Sequence, residues 1–446
     1  MLKEITLKNI DSFEKDYKKR PENEIASRAV IKNGIVNSAI DPKVVNSVRN
    51  TYSVDVDSGD VTNQRQSGRC WMFAGLNVIR TILMRRLNVK NIELSEAYLQ
   101  FYDRLEKSNF TLEKAIELSD EPYTSRLNQF IYDNGNGDGG YFEFFASLVQ
   151  KYGVVPIDEM PDGACSQNTN DLNDVLNRLL HKDIAVLRRH AKKESKAELR
   201  KYKDEMLSEI YKVLEISLGT PVRDFVYEYK DKDNKFVRLP RLTPKEFYDQ
   251  YIGTDLNEYI ALDDYPVEGI KEGHKYTSDF VQNVIGGKPV IIYQTGLKAM
   301  KEAVINSLKN NDVVWFGSDV VASSLRKEGI LAKDVIKEDE LFDVKFASDK
   351  GENLMYHSNS CCHAMTITGV NLDENGVPNR WKVENSWGKD NGKDGYFMMD
   401  DKWFDSYVYE VFLNKKYIAP ELVKQYEEGK VQKIEPFVPV FAKLVD

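Results

Sequence analysis

Polar residues dominate the first sixty positions, and Pro21 interrupts the helical stretch they begin, so residues 1–60 read as an arm laid on a surface. The pattern changes at Cys70. Apolar residues over 70–87 are dense enough for a buried helix. A second helix is expected over 94–105, opened by Ser95 as its cap and carrying Tyr98, Leu99, Phe101 and Tyr102. Residues 134–140 form a glycine-rich loop, and 141–153 read as a helix with an aromatic face. Residues 171–218 are long, charged and helical, with Leu172, Val175, Leu176, Leu179 and Leu180 at helical spacing. Proline turns and aromatics occupy 238–253. From Lys288 the pattern becomes that of strands, at 288–293, 313–317, 364–368, 381–383 and 395–399. The expected class is α+β. Its order is an N-terminal arm (1–60), a helical lobe (61–165), a helical insertion (166–285), a β-rich lobe (286–434) and a C-terminal arm (435–446).

Composition narrows the function classes. A chain of 446 residues can bury a large core, and 41% hydrophobic with 30% charged residues is the balance of a soluble globular protein. The formal charge of −9 argues against nucleic acid or an anionic membrane as partner. The opening Met1-Leu2-Lys3-Glu4-Ile5-Thr6 lacks the apolar core of a signal peptide, and no run of about 18 apolar residues exists. A cytoplasmic protein without a membrane span is expected. Cys70, Cys165, Cys361 and Cys362 lack the spacing of a disulfide framework. Zinc would need paired Cys or His at two places, and only residues 361–363 come near. No metal or other cofactor is expected.

The candidate chemistry lies in Gln64-Arg65-Gln66-Ser67-Gly68-Arg69-Cys70-Trp71. A cysteine where a loop enters a helix has its thiolate favoured by unpaired N–H groups and the helix dipole. Gln64 can reach back over the same spot as an oxyanion donor. A nucleophile needs a base, and the base an orienter. His363 and Asn385 supply them near the other end of the chain, so the set reads as a thiol hydrolase. His357 is the rival base, but it sits in a polar loop and not at the head of a strand; His181, His190 and His274 read as surface residues. The loop at 134–140 has the wrong spacing for a phosphate cradle and no Lys-Ser/Thr after it. Its glycines would let an extended peptide approach closely, with a plain turn as the alternative.

These segments resemble the papain-like cysteine peptidases, and among them the branch of bleomycin hydrolase and bacterial aminopeptidase C. Gln64 matches the oxyanion glutamine, and Cys70-Trp71 the nucleophile pair. Asp138-Gly139-Gly140-Tyr141 matches the substrate-backbone loop, His363-Ala364 the base, and Asn385-Ser386-Trp387-Gly388 the orienter segment. The resemblance covers most of the chain. It implies two lobes that face each other across a cleft, Cys70 on the helical side and His363 on the β side, with Trp387 covering the His363–Asn385 bond. Ser67 and Gly137 stand where secreted papains carry disulfide cysteines, as a reducing compartment requires. The Cys70–His363 interval of 293 residues is about twice the ~130–150 of simple papain relatives, and the helical insertion accounts for the excess. By resemblance the protein is an aminopeptidase acting on peptides and a homo-oligomer, a hexamer with inward-facing sites. The C-terminal arm would lie in the cleft, with the carboxylates of Asp446 meeting the substrate amine. Phe441, Lys443 and Asp446 depart from the small residues usual there, and the alternative is an endopeptidase with an altered arm. Further alternatives are an inactive peptide-binding homologue and a nucleic-acid-binding assembly.

Overall fold

The computed structural model describes residues 2–346 and 348–441. The helix that Cys70 begins runs Cys70–Leu87, and only Ile82, Arg85 and Arg86 escape burial in it. It ends at Asn88, whose left-handed backbone (φ 54°) returns its N–H to the Met84 carbonyl. Ser95 caps the next helix by accepting from the Tyr98 N–H, as expected, but that helix continues to Glu117. Polar residues on its buried side (Asp103, Arg104, Lys107, Ser108, Thr111) hide the apolar period beyond residue 105.

Two helices, Asn170–His190 and Lys196–Leu218, pack on Glu96–Glu117. They share a core of Phe101, Leu112, Ile116, Leu176, Leu187 and Leu214, separate from the main one. The sequence pattern presents them as one stretch; Ser195 and Glu198 break it with a reciprocal capping box. Val175 is exposed, whereas Leu172, Leu176 and Leu180 face the core.

The stretch 166–285 is not helical throughout, which corrects the sequence expectation. Phe225–Lys230 and Phe236–Leu242 form an antiparallel hairpin. Tyr259–Asp263 joins the main sheet beside Val408–Asn414. Each of its five residues is buried, so it lacks the alternation that marks a half-exposed strand. Val408–Asn414 also escaped the sequence reading, because Glu410 interrupts its apolar run.

In the main sheet His363–Leu372 is central, with Val314–Ser318 antiparallel on one side and Pro378–Glu384 antiparallel on the other. Tyr396–Asp400 extends the second side and Val408–Asn414 the first. Of 288–293 only Ile292–Tyr293 is a strand; Pro289 lacks the donor a ladder needs. At the N-terminus, helices Leu7–Tyr17 and Glu22–Asn33 bury none of their residues. Among the described residues no helix is long and apolar enough to cross a membrane.

Candidate active site

The Cys70 helix packs against the His363 strand, so elements that begin 293 positions apart in the chain lie side by side. Two bonds fix the pair of elements. The Thr366 hydroxyl donates to the Ala74 carbonyl at 3.4 Å, three residues along the strand and four along the helix from the candidates themselves. The Trp315 indole N–H, on the neighbouring strand, donates to the Trp71 carbonyl at 3.0 Å. Cys70 and His363 are both fully buried.

His363 Nε2 lies 2.9 Å from Asn385 Oδ1. The same oxygen accepts the Ser386 backbone N–H at 2.8 Å. A backbone N–H only donates, so the atom facing it is the amide oxygen, and His363 must carry its proton on Nε2. The other ring nitrogen, Nδ1, is then the basic one. The Trp387 ring lies against the imidazole with centroids 4.8 Å apart and planes tilted by 32°. His357 is exposed in a loop at φ 61°, and His181 and His274 are exposed as well. His190, half-buried, pairs with Glu194. Of the five histidines only His363 is buried.

Gln64 is held by the orienter segment. Its N–H donates to the Ser386 carbonyl at 2.8 Å, and the Ser386 hydroxyl donates to Gln64 Oε1 at 2.5 Å. These bonds turn the amide so that Nε2 is its opposite end, which donates to the Ser67 carbonyl at 2.5 Å, in the loop that leads to Cys70. Ser386 therefore orients both Asn385 and Gln64. The sequence reading quoted it within a motif and gave it no role; a serine carries no signal of its own until the two segments are known to pair.

The glycine-rich loop is braced from beneath. Trp71 Nε1 donates to the Asp138 carbonyl at 2.8 Å, and the Gly68 N–H donates to the Asp138 carboxylate at 2.8 Å. That carboxylate also meets Arg104 and the Thr169 hydroxyl. Asp138 is thus turned inward as a brace, which leaves the backbone of Gly139 and Gly140 as the part of the loop that could meet a peptide. A Cβ on Gly140 would stand 2.4 Å from the Trp71 ring, so this position admits only glycine.

Lys107 is a further brace that sequence reasoning missed. Its ammonium donates to the Gly137 and Gly139 carbonyls at 3.0 and 2.7 Å and pairs with Asp103 at 2.6 Å. Burial pushes its pKa down to about 8, against the opposing pull of Asp103. Arg69, equally buried, clamps the nucleophile loop through Asp162, Gln100 and the Ser166 carbonyl.

Beyond the triad candidates, Cys361 is buried beside Glu410, and burial followed by that carboxyl pushes its thiol well above the ordinary range. Cys165 and Cys362 are half-buried. Burial also raises Glu143 to about 7 and Glu410 to about 8.

The C-terminal arm comes to the same place. Val431–Lys433 pairs in parallel with Lys275–Thr277, and Phe437 is held between the Arg126 guanidinium and Phe130. Val440 and Phe441 are buried, and the Tyr141 hydroxyl, next to Gly140, donates to the Phe441 carbonyl at 2.6 Å. The assignment of Asp446 lies outside the described residues.

A model of the Peptidase C1-like family matches residues 4–440. The chain belongs to the Peptidase C1-like family. Within that family it is 38% identical over 440 residues to aminopeptidase C of Listeria innocua, covering 99% of each chain. It is also 38% identical over 449 residues to aminopeptidase C of Lactobacillus delbrueckii subsp. lactis, covering 100% of each. The crystal structure of PepW from Lactobacillus rhamnosis HN001 superposes with a TM-score of 0.96 at 38% identity, over 99% of this chain and 100% of that one. The architecture is therefore the two-lobed, papain-like α+β fold of this family. Its enlarged helical lobe and wrapped C-terminal segment are part of a shared whole-chain fold.

Proposed function

We propose that this family member is a cysteine aminopeptidase in which Cys70 is the nucleophile, His363 the base, Asn385 its orienter and Gln64 an oxyanion donor. The observation that carries the proposal is the 2.9 Å contact of His363 Nε2 with Asn385 Oδ1, on a strand packed against the helix that Cys70 begins. With Nε2 committed, Nδ1 is left to take the thiol proton and later to hand it to the leaving amine. The thiolate attacks the scissile carbonyl, and its oxygen develops negative charge. The Cys70 N–H at the helix start and the Gln64 amide stabilise that charge. Amine departure leaves a thioester at Cys70. Water, deprotonated by His363, then releases the acid and restores the thiol.

Substrate peptides would lie along the Gly139–Gly140 backbone. The arm runs to the same loop as far as Phe441, and by filling the groove there it would leave room for only the first residue or so of a peptide. Relatives named aminopeptidase C support terminal release, and the endopeptidase alternative gains no support. Alkylation tests the nucleophile: iodoacetamide below pH 7 should modify Cys70 before Cys165, Cys361 or Cys362, and activity should vanish in step. Activity surviving complete modification of Cys70 would refute the assignment.

The proposed assembly is a homo-oligomer, a hexamer by family resemblance. Leu7, Ile10, Phe13 and Tyr17 are all exposed on one helix that the other described residues leave unburied, a face suited to a neighbouring subunit. Light scattering should give a particle several times the 51.3 kDa chain; a monomer at micromolar concentration would contradict it. The cytoplasm is the proposed location, since four cysteines outside any disulfide suit a reducing compartment; cell fractionation checks it.

A further inference from the structure

We infer that the Tyr141 hydroxyl is the latch that seats the C-terminal arm and thereby decides whether an internal peptide bond can be cut. The inference rests on the proposed reading of the arm and names the residue through which the arm acts.

Beyond Ile434, whose N–H donates to the Thr277 carbonyl at 2.9 Å, the arm leaves the sheet. The Val438 and Phe441 N–H groups bond only within the arm, to Glu435 and Val438. Within residues 435–441, the described part of the arm past Ile434, the bond from Tyr141 to the Phe441 carbonyl is the one hydrogen bond to the other described residues of the protein. Phe437 adds ring contacts with Arg126 and Phe130, which hold the arm laterally but fix no backbone atom.

The latch is rigidly connected to the site. Tyr141 follows Gly140, which is packed on the ring of Trp71, and Trp71 follows Cys70. The Tyr141 ring is 2% exposed and sits edge-on to Phe144 at 5.1 Å. Burial first, and Glu410 next, keep its hydroxyl protonated far above neutral pH, so it remains a donor. Its acceptor is a backbone carbonyl, so the latch tolerates the bulky Phe441 that departs from the family's usual small residues.

The test compares four proteins: the intact chain, Tyr141→Phe, a chain ending at Phe441, and the two changes combined. Each is assayed on one peptide with a free and with an acetylated N-terminus, and the ratio of kcat/KM (acetylated over free) is read. Loss of one hydrogen bond should raise that ratio about three- to tenfold in Tyr141→Phe, and truncation should raise it at least as far. In the truncated background Tyr141→Phe should add nothing, since the latch then has no tail to seat. A purely structural effect of the substitution would persist there and would overturn the inference. An unchanged ratio in Tyr141→Phe, with a raised ratio on truncation, would remove the latch and leave the reading of the arm standing. An unchanged ratio on truncation would remove both. Thermal melts of the four proteins establish that each is folded when assayed.

Discussion

Cys70→Ala should abolish peptide hydrolysis and leave the fold in place. Without the sulfur no thioester can form, and in triad hydrolases loss of the nucleophile costs on the order of 10⁶ in kcat. Stability should change little. Alanine is the best helix former, and the helix keeps the buried faces on either side of the position. One lost heavy atom costs about 1 kcal/mol, against the ~5–15 kcal/mol of a folded domain. Residual turnover near the level of the intact protein, in a variant that melts normally, would remove Cys70 from the mechanism.

Replacing His363 should be nearly as severe, and Asn385→Ala and Gln64→Ala should be graded below it. His363→Ala removes the only buried imidazole, and no other histidine is placed to substitute for it. Asn385→Ala leaves the base but frees its ring; water can take part of the bond to Nε2, so the loss should be smaller. Gln64→Ala should cost on the order of 10²–10³ in kcat, the effect of one oxyanion donor. His357→Ala is the control. If it proved as damaging as His363→Ala, with both variants folded, the base would have been misassigned.

The residues proposed as catalytic stand out in the sequence because their local settings are distinctive. Cys70 stands at the start of an apolar run, and Asn385 lies beside an aromatic-glycine pair. The strand holding His363 was legible for the same reason, since Ala364 to Thr368 is an apolar, β-branched run. What remained hidden depends on pairing between distant segments. Ser386 acquires a role only because residues 62–64 bond along residues 386–388. Lys107 and Arg104 carry no sequence signal of burial, yet both are buried beneath the glycine loop. Their charges are tolerated there because Asp103, Asp138 and loop carbonyls meet them.

The edge of the sheet failed for a different reason. Tyr259–Asp263 and Val408–Asn414 are buried on both faces and contain Asp263 and Glu410, so neither alternation nor an unbroken apolar run marks them. Burial pushes the pKa of both carboxyls upward, and in the protonated form they can lie inside the sheet without a cation. A sequence records the acid; it does not record the environment that keeps it neutral. The inward turn of Asp138 is similar. Its place in the motif was evident, but that its side chain braces Gly68 while the loop's backbone is left for a peptide follows only from the packing.

Product analysis of one defined peptide, offered to the intact protein with a free and with an acetylated N-terminus, tests the central claim most directly. Mass spectrometry should find single residues released in order from the free peptide and the acetylated peptide consumed at least about tenfold more slowly, as expected when a substrate ammonium contributes 1.4 kcal/mol or more. Equal rates on both peptides, with the same internal bonds cut in each, would contradict the account.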